Sequence, residues 1–234
     1  MSHSLDVELV GDLEKSRKYA ECFNVNLQQE GIDQLIGNDS AVVNPIAKIQ
    51  EHLSILLAVE PHLYFLFSLA VNVIFCGGSL HAVGGTTSAA IGVVWGNPEK
   101  GWKTCDYLEY FVHELTHTLM FLDELRFLHY KSLDLMYDKD NFSLSAILQA
   151  ERPLDRVLHS IVVATEILSL RARCLVDHSG CQIHPATDKL IESTQKAIAK
   201  LLSHPNRDKI LTPRALEIIG ICQNSLSPND LLVS

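Results

Sequence analysis

The 234-residue chain has no CxxC pair, no run of lysine and arginine, no charged-then-apolar segment at its start and no apolar stretch of bilayer length. Each absence excludes a class of protein. Without CxxC spacing, Cys22, Cys76, Cys105, Cys174, Cys181 and Cys222 do not form the pattern of a zinc site or a redox pair. They read as reduced thiols packed as small hydrophobes. Without a basic run, and at a formal net charge of −9, neither nucleic acid nor an anionic membrane is expected as the main partner. The most apolar run, residues 63–76, follows Glu60, Pro61 and His62 and is shorter than the ~20 residues a membrane span needs. It reads as a buried helix running into a strand, and the missing leader points to a cytoplasmic location.

What is present begins with enough apolar material, 47% of the residues, to bury a full core. That content and length suit a single domain over residues 1–234. Helical periodicity runs through residues 5–22, 46–57, 107–126, 187–202 and 213–222. Gly31 and residues 37–40 punctuate the first part. Residues 72–76 and 89–95 turn β-branched and aromatic, which predicts a short sheet or a hairpin around the glycine-rich loop 79–88. That loop carries Gly84-Gly85-Thr86-Thr87-Ser88 but no GxxxxGK[ST], so it reads as a rim or turn rather than a phosphate cradle, with Ser88 available to line a cleft. Residues 137–141 form a polar turn, and Arg152-Pro153 marks the start of a further helix reaching about residue 176. The expected fold is mainly α, a single helical domain with a small β element beside a metal-binding helix.

That metal helix is the most informative segment. His113-Glu114-Leu115-Thr116-His117 is an HExxH motif, and on a helix residues four apart lie one turn above each other on one face. Both imidazoles can therefore reach one ion. Glu114 stands beside them, where a hydrolase would use it as base and another metal enzyme to orient a ligand or substrate. Leu108, Phe111, Val112, Leu115, Leu119, Leu122 and Leu125 recur at helical spacing and predict a packed helix with its histidines at a cleft. Asp123 is expected to orient a histidine, as carboxylates behind metal ligands do.

Two histidines do not hold a catalytic metal, so the third ligand decides the chemistry. A metzincin pattern is excluded, because Met120 stands at its glycine and Asp123 at its third histidine. A glutamate from a later helix, Glu151 or Glu166, fits a zinc peptidase. His159 competes for the same place. It lies seven residues before Glu166 and near one face with it, with Arg152 and Arg156 toward the start of that helix.

Taken together, Thr87-Ser88-Ala89-Ala90-Ile91-Gly92-Val93-Val94-Trp95, the His113–His117 motif with Leu122-Asp123, and Arg152-Pro153-Leu154 followed by Val157-Leu158-His159 resemble a known family. It is the HExxH-motif domain of iron- and 2-oxoglutarate-dependent peptide β-hydroxylases from ribosomal peptide pathways. The resemblance covers residues 87–170. The chain departs from the family at Thr116, often glutamine there, at Ser160, where glycine is usual, and at Ala164, where an aromatic residue or histidine is found.

The resemblance implies Fe(II) held by His113, His117 and His159, with Glu166 as the alternative third ligand. It also implies 2-oxoglutarate as co-substrate and a ribosomal precursor peptide as substrate. Three protein ligands leave three positions open, enough for a bidentate 2-oxo acid and O₂. An arginine suits the distal carboxylate, with Arg152 first, then Arg156 and Arg171. Two other readings stand beside this one: a zinc metallopeptidase with Glu114 as base, and a non-catalytic helical peptide-binding protein.

Overall fold

The computed structural model describes residues 7–27, 45–77, 82–174 and 176–226. Gly31, residues 37–40 and part of the glycine-rich loop, residues 79–81, lie outside them. The chain is mainly helical with a small mixed sheet and a separate two-stranded hairpin. It divides into two compact units between Phe121 and Leu122, inside one helix.

The first unit opens with β1 (Glu8–Val10) and α1 (Leu13–Leu27). The single helix expected over residues 5–22 is therefore interrupted. Glu8-Leu9-Val10 pairs in parallel with the next strand, Leu9 opposite Ile74, and the Asp12 carboxylate accepts the Lys15 N–H to start α1. There follow α2 (Pro45–Val59), α3 (Pro61–Ala70), β2 (Val73–Cys76), β3 (Gly84–Thr86) and β4 (Val93–Gly96). The sheet order is β1-β2-β4-β3. β2 and β4, the two segments legible in the sequence, pair in parallel and so are not the two arms of a hairpin. The hairpin partner of β4 is β3, the Gly84-Gly85-Thr86 run read as a rim.

All four residues of β2 are buried, as a strand covered on both faces requires. On one face Tyr19 and Phe23 of α1 pack their rings on Phe75. The other face receives α4 (Thr104–Arg126), whose Tyr110 hydroxyl donates to the Trp95 carbonyl at 2.9 Å. Gly84 and Gly96 make room for that ring, since a Cβ at either would come within 2.4 and 2.7 Å of Tyr110 atoms. Exposure corrects one expectation: α3 buries Phe67 and Ala70 but leaves Phe65, Leu66 and Leu69 in solvent. Cys76 is a free buried thiol whose pKa is pushed up to about 12 by burial, whereas Cys105 is disulfide-bonded.

The second unit takes the last turn of α4 and continues through α5 (Leu133–Tyr137), the hairpin of β5 (Ser143–Leu144) and β6 (Glu151–Arg152), α6 (Leu154–Arg173), α7 (Thr187–Leu202), α8 (Arg207–Ile210) and α9 (Pro213–Ser225). α6 is the centre of this unit. Leu154, Val157, Leu158, Ile161, Ile167 and Leu170 are fully enclosed along it, and α7, α9, α5 and β5 pack around it. Pro153 occupies the N-cap position of α6, and Thr212 caps α9 by accepting from Ala215 N–H ahead of Pro213. Cys181 is disulfide-bonded, which with Cys105 corrects the reading of six reduced thiols. Among the described residues no helix is long and apolar enough to cross a membrane.

Candidate metal centre

The HExxH segment lies in the middle of α4, and the structure brings its two histidines together. His113 Nε2 and His117 Nε2 are 3.2 Å apart. With metal–nitrogen bonds of about 2.1 Å, such a pair subtends about 100° at a shared ion, between octahedral and tetrahedral angles. The two nitrogens thus fit neighbouring positions on one metal. Both rings are half-buried, and Phe121 stacks along the outer one, His117, at a centroid distance of 6.4 Å.

The platform under the pair is rigid for reasons that start in the sequence. Around His113 the helix is buried almost all round: Tyr107, Leu108, Tyr110, Phe111, Val112, Leu115 and Thr116 are all enclosed. Tyr107 stacks on His52 at 3.9 Å and meets the Trp102 ring edge-on, while Phe111 packs edge-on against Phe67. His52 is held in turn by donating Nδ1–H to the Lys48 carbonyl. The apolar stripe read from the sequence does not continue to the helix end, because Leu119, Leu122 and Leu125 are exposed.

Glu114 points into the interior. Its Oε2 is buried without a hydrogen-bond partner, and burial pushes the carboxyl pKa up to about 8. An isolated carboxyl in a dry site favours its neutral form. Within the first unit, among the described residues, no third His, Cys, Asp or Glu atom joins the His113–His117 pair within 4.8 Å.

The other sequence-expected residues belong to the second unit. His159 is buried on α6, and its pKa is pushed down to about 3, first by burial and then by the Arg156 and His129 charges. It is a neutral imidazole, the form that binds metals. Glu166, on the same helix, is exposed, and Glu151 is exposed in β6. One helix thus carries its histidine inside and its glutamate outside. Arg152 is half-buried in β6, and Arg156 is exposed, 3.7 Å from the Asp155 carboxylate. Arg171 donates to the Pro185 carbonyl and Thr187 Oγ1, which ties α6 to the start of α7.

Asp123 does hold a histidine, and it is one the sequence pattern does not single out. His129 Nε2 lies 2.7 Å from Asp123 Oδ2, and Arg214 from α9 donates to both oxygens of the same carboxylate at 2.7 and 3.0 Å. Arg214 first, and His129 after it, hold the Asp123 carboxyl below the usual range against the opposing effect of burial. The contact with Arg214 spans 91 residues of chain, and no local pattern announces it. No family model and no curated protein matches this chain.

Proposed function

We propose that this protein is a metal-dependent oxygenase that uses Fe(II) and 2-oxoglutarate to hydroxylate the β-carbon of an amino-acid side chain in a ribosomally made peptide. The observation that carries the metal-binding part is the His113–His117 nitrogen pair, 3.2 Å apart on a helix fixed by aromatic packing. The oxygenase part is supported by the resemblance along residues 87–170, in which Arg152-Pro153-Leu154 leads into His159.

Bound iron would supply the activation of O₂ that a 2-oxo acid makes accessible. The chain's own residues divide the remaining work. His113 and His117 supply two imidazoles, His159 is the third ligand in this reading, and Glu166 is its alternative. Arg152, with Arg156, provides a planar guanidinium for the distal carboxylate of 2-oxoglutarate. Glu114 orients a ligand or the peptide.

One observation favours a second reading, a zinc metallopeptidase. Glu114 Oε2 has no partner, and a zinc ion with its bound water beside it would favour the carboxylate form and give that oxygen the proton to accept, the role of the base in a zinc hydrolase. The product separates the two. With Fe(II), 2-oxoglutarate and O₂, an intact peptide heavier by one oxygen is the expected result by mass spectrometry. Peptide cleavage supported by Zn(II) without O₂ replaces the oxygenase reading with the peptidase.

A further inference from the structure

β3 is the outermost strand of the first unit's sheet, and among the described residues no strand lies beyond it. Its hydrogen-bonding groups divide by the alternation of an antiparallel ladder. Asn97 N–H donates to the Val83 carbonyl at 2.8 Å, which makes the next register pair, Gly84 and Gly96, one whose polar groups point away from each other. Gly96 does this on its own side, where its carbonyl accepts from Gly77 N–H just past β2. Gly84, and Thr86 two residues on, therefore turn N–H and C=O outward, whereas Gly85 turns its own toward Trp95.

This edge lacks the charge, proline or bulge that commonly blocks such a row of groups. Residues 84–86 are Gly-Gly-Thr in regular register with β4, and none of them is fully buried. Side chains are kept off the strand by its own packing. A Cβ at Gly84 would lie 2.4 Å from the Tyr110 ring, and one at Gly85 would lie 2.5 Å from Trp95 Nε1. The ring that excludes a side chain at Gly84 belongs to α4, three residues before His113, or about 4.5 Å of helix rise. The bare edge and the imidazole pair are thus served by the same stretch of one helix.

We propose that an extended peptide of neutral or basic character adds to the outer edge of β3 as a further strand, exchanging backbone hydrogen bonds with Gly84 and Thr86. The proposal rests on the reading that this chain acts on a peptide, and it holds equally for hydroxylation and for cleavage. Gly84 and Thr86 each offer one donor and one acceptor on the same side. An extended backbone supplies the complementary row whatever its side chains, so the edge gives affinity without dictating sequence. The net charge of −9 disfavours an acidic occupant.

The test takes the metal-free full chain, since the edge itself uses no metal, and selects on it from a random library of peptides about ten residues long. Amide hydrogen exchange is then followed with the most enriched peptide. Gly84 and Thr86 N–H should exchange readily in the protein alone and slow by about 10-fold or more when the peptide is bound. N-methylation of that peptide at alternate residues should weaken binding about 10-fold in the register facing β3 and leave the other register unchanged. Thr86→Pro removes an outward N–H that the pairing with β4 does not use, and should lose a similar factor. Peptides that bind without protecting Gly84 and Thr86 overturn the inference and leave the peptide reading standing. If the library yields no binder, both are overturned. Protection already present in the protein alone also overturns the inference, and its dependence on protein concentration would identify a second copy on the edge. The N-methylated peptides are read against the wild-type chain, so they decide the matter even where Thr86→Pro fails to fold.

Discussion

The two units hold their histidines by opposite means. In the first, His113 and His117 are half-exposed neighbours whose relative placement follows from one turn of helix. In the second, His129 and His159 are buried, and His129 is oriented by a carboxylate that is itself fixed by an arginine 91 residues away. A local geometry needs only that the helix be packed. A long-range geometry needs the whole unit folded around it. The first arrangement should therefore tolerate change away from the rings packed directly on α4, and the second should be sensitive to distant substitutions.

The largest effect should come from the platform itself. Phe111→Ala removes a fully buried ring that packs on Phe67, and the cavity left should cost about 3–5 kcal/mol in a urea unfolding curve. A loss below that range would mean that α3 can close the gap and that the helix under the imidazole pair is less fixed than its packing implies.

Metal linkage comes next. At a free Zn(II) concentration of about 100 Kd, binding to the native state should stabilise the protein by about 2.7 kcal/mol. The His113→Ala/His117→Ala double variant should show none of this in a thermal melt with and without metal. Retention of the full stabilisation would move the ion away from the HExxH helix altogether.

Asp123→Asn tests the long-range arrangement. It weakens charged hydrogen bonds to both Arg214 and His129, and should cost about 1.5–3 kcal/mol in the absence of metal. The same measurement on Leu125→Ala sets the baseline. That side chain is 76% exposed near the end of the same helix, so the change should stay within about 0.5 kcal/mol. Equal effects at the two positions would remove the distinction between a fixed carboxylate and a bare surface.

The same distinction explains which features are legible in the chain alone. The HExxH helix, α7 and the two central strands are, because each announces itself by periodicity or by β-branched runs a few residues long. The parallel pairing of β2 and β4 is not, since the glycine-rich run between them looks like a loop and becomes the antiparallel strand β3 only against Trp95 and its neighbours. Glu8-Leu9-Val10 looks helical because Leu9 and Val10 also fit the apolar period of α1, and only pairing with β2 makes it a strand. At the site, His113, His117 and Glu114 can be named from spacing alone. The fixed position of His129 in the second unit is not legible in that way, because it depends on Asp123 and Arg214 meeting through the fold. Likewise Leu119, Leu122 and Leu125 continue an apolar period in a region that the structure leaves in solvent. Periodicity records which face could be buried, not where packing stops.

The most direct measurement of the central claim is an anaerobic titration of metal-free protein with Fe(II) and then 2-oxoglutarate, followed in the visible spectrum. The oxygenase reading predicts a metal-to-ligand charge-transfer band at one equivalent of each, which bleaches on admission of O₂ as succinate forms. Absence of that band, with Zn(II) binding tightly at one equivalent, would contradict it. The chemistry would then pass to Glu114 and a zinc-bound water.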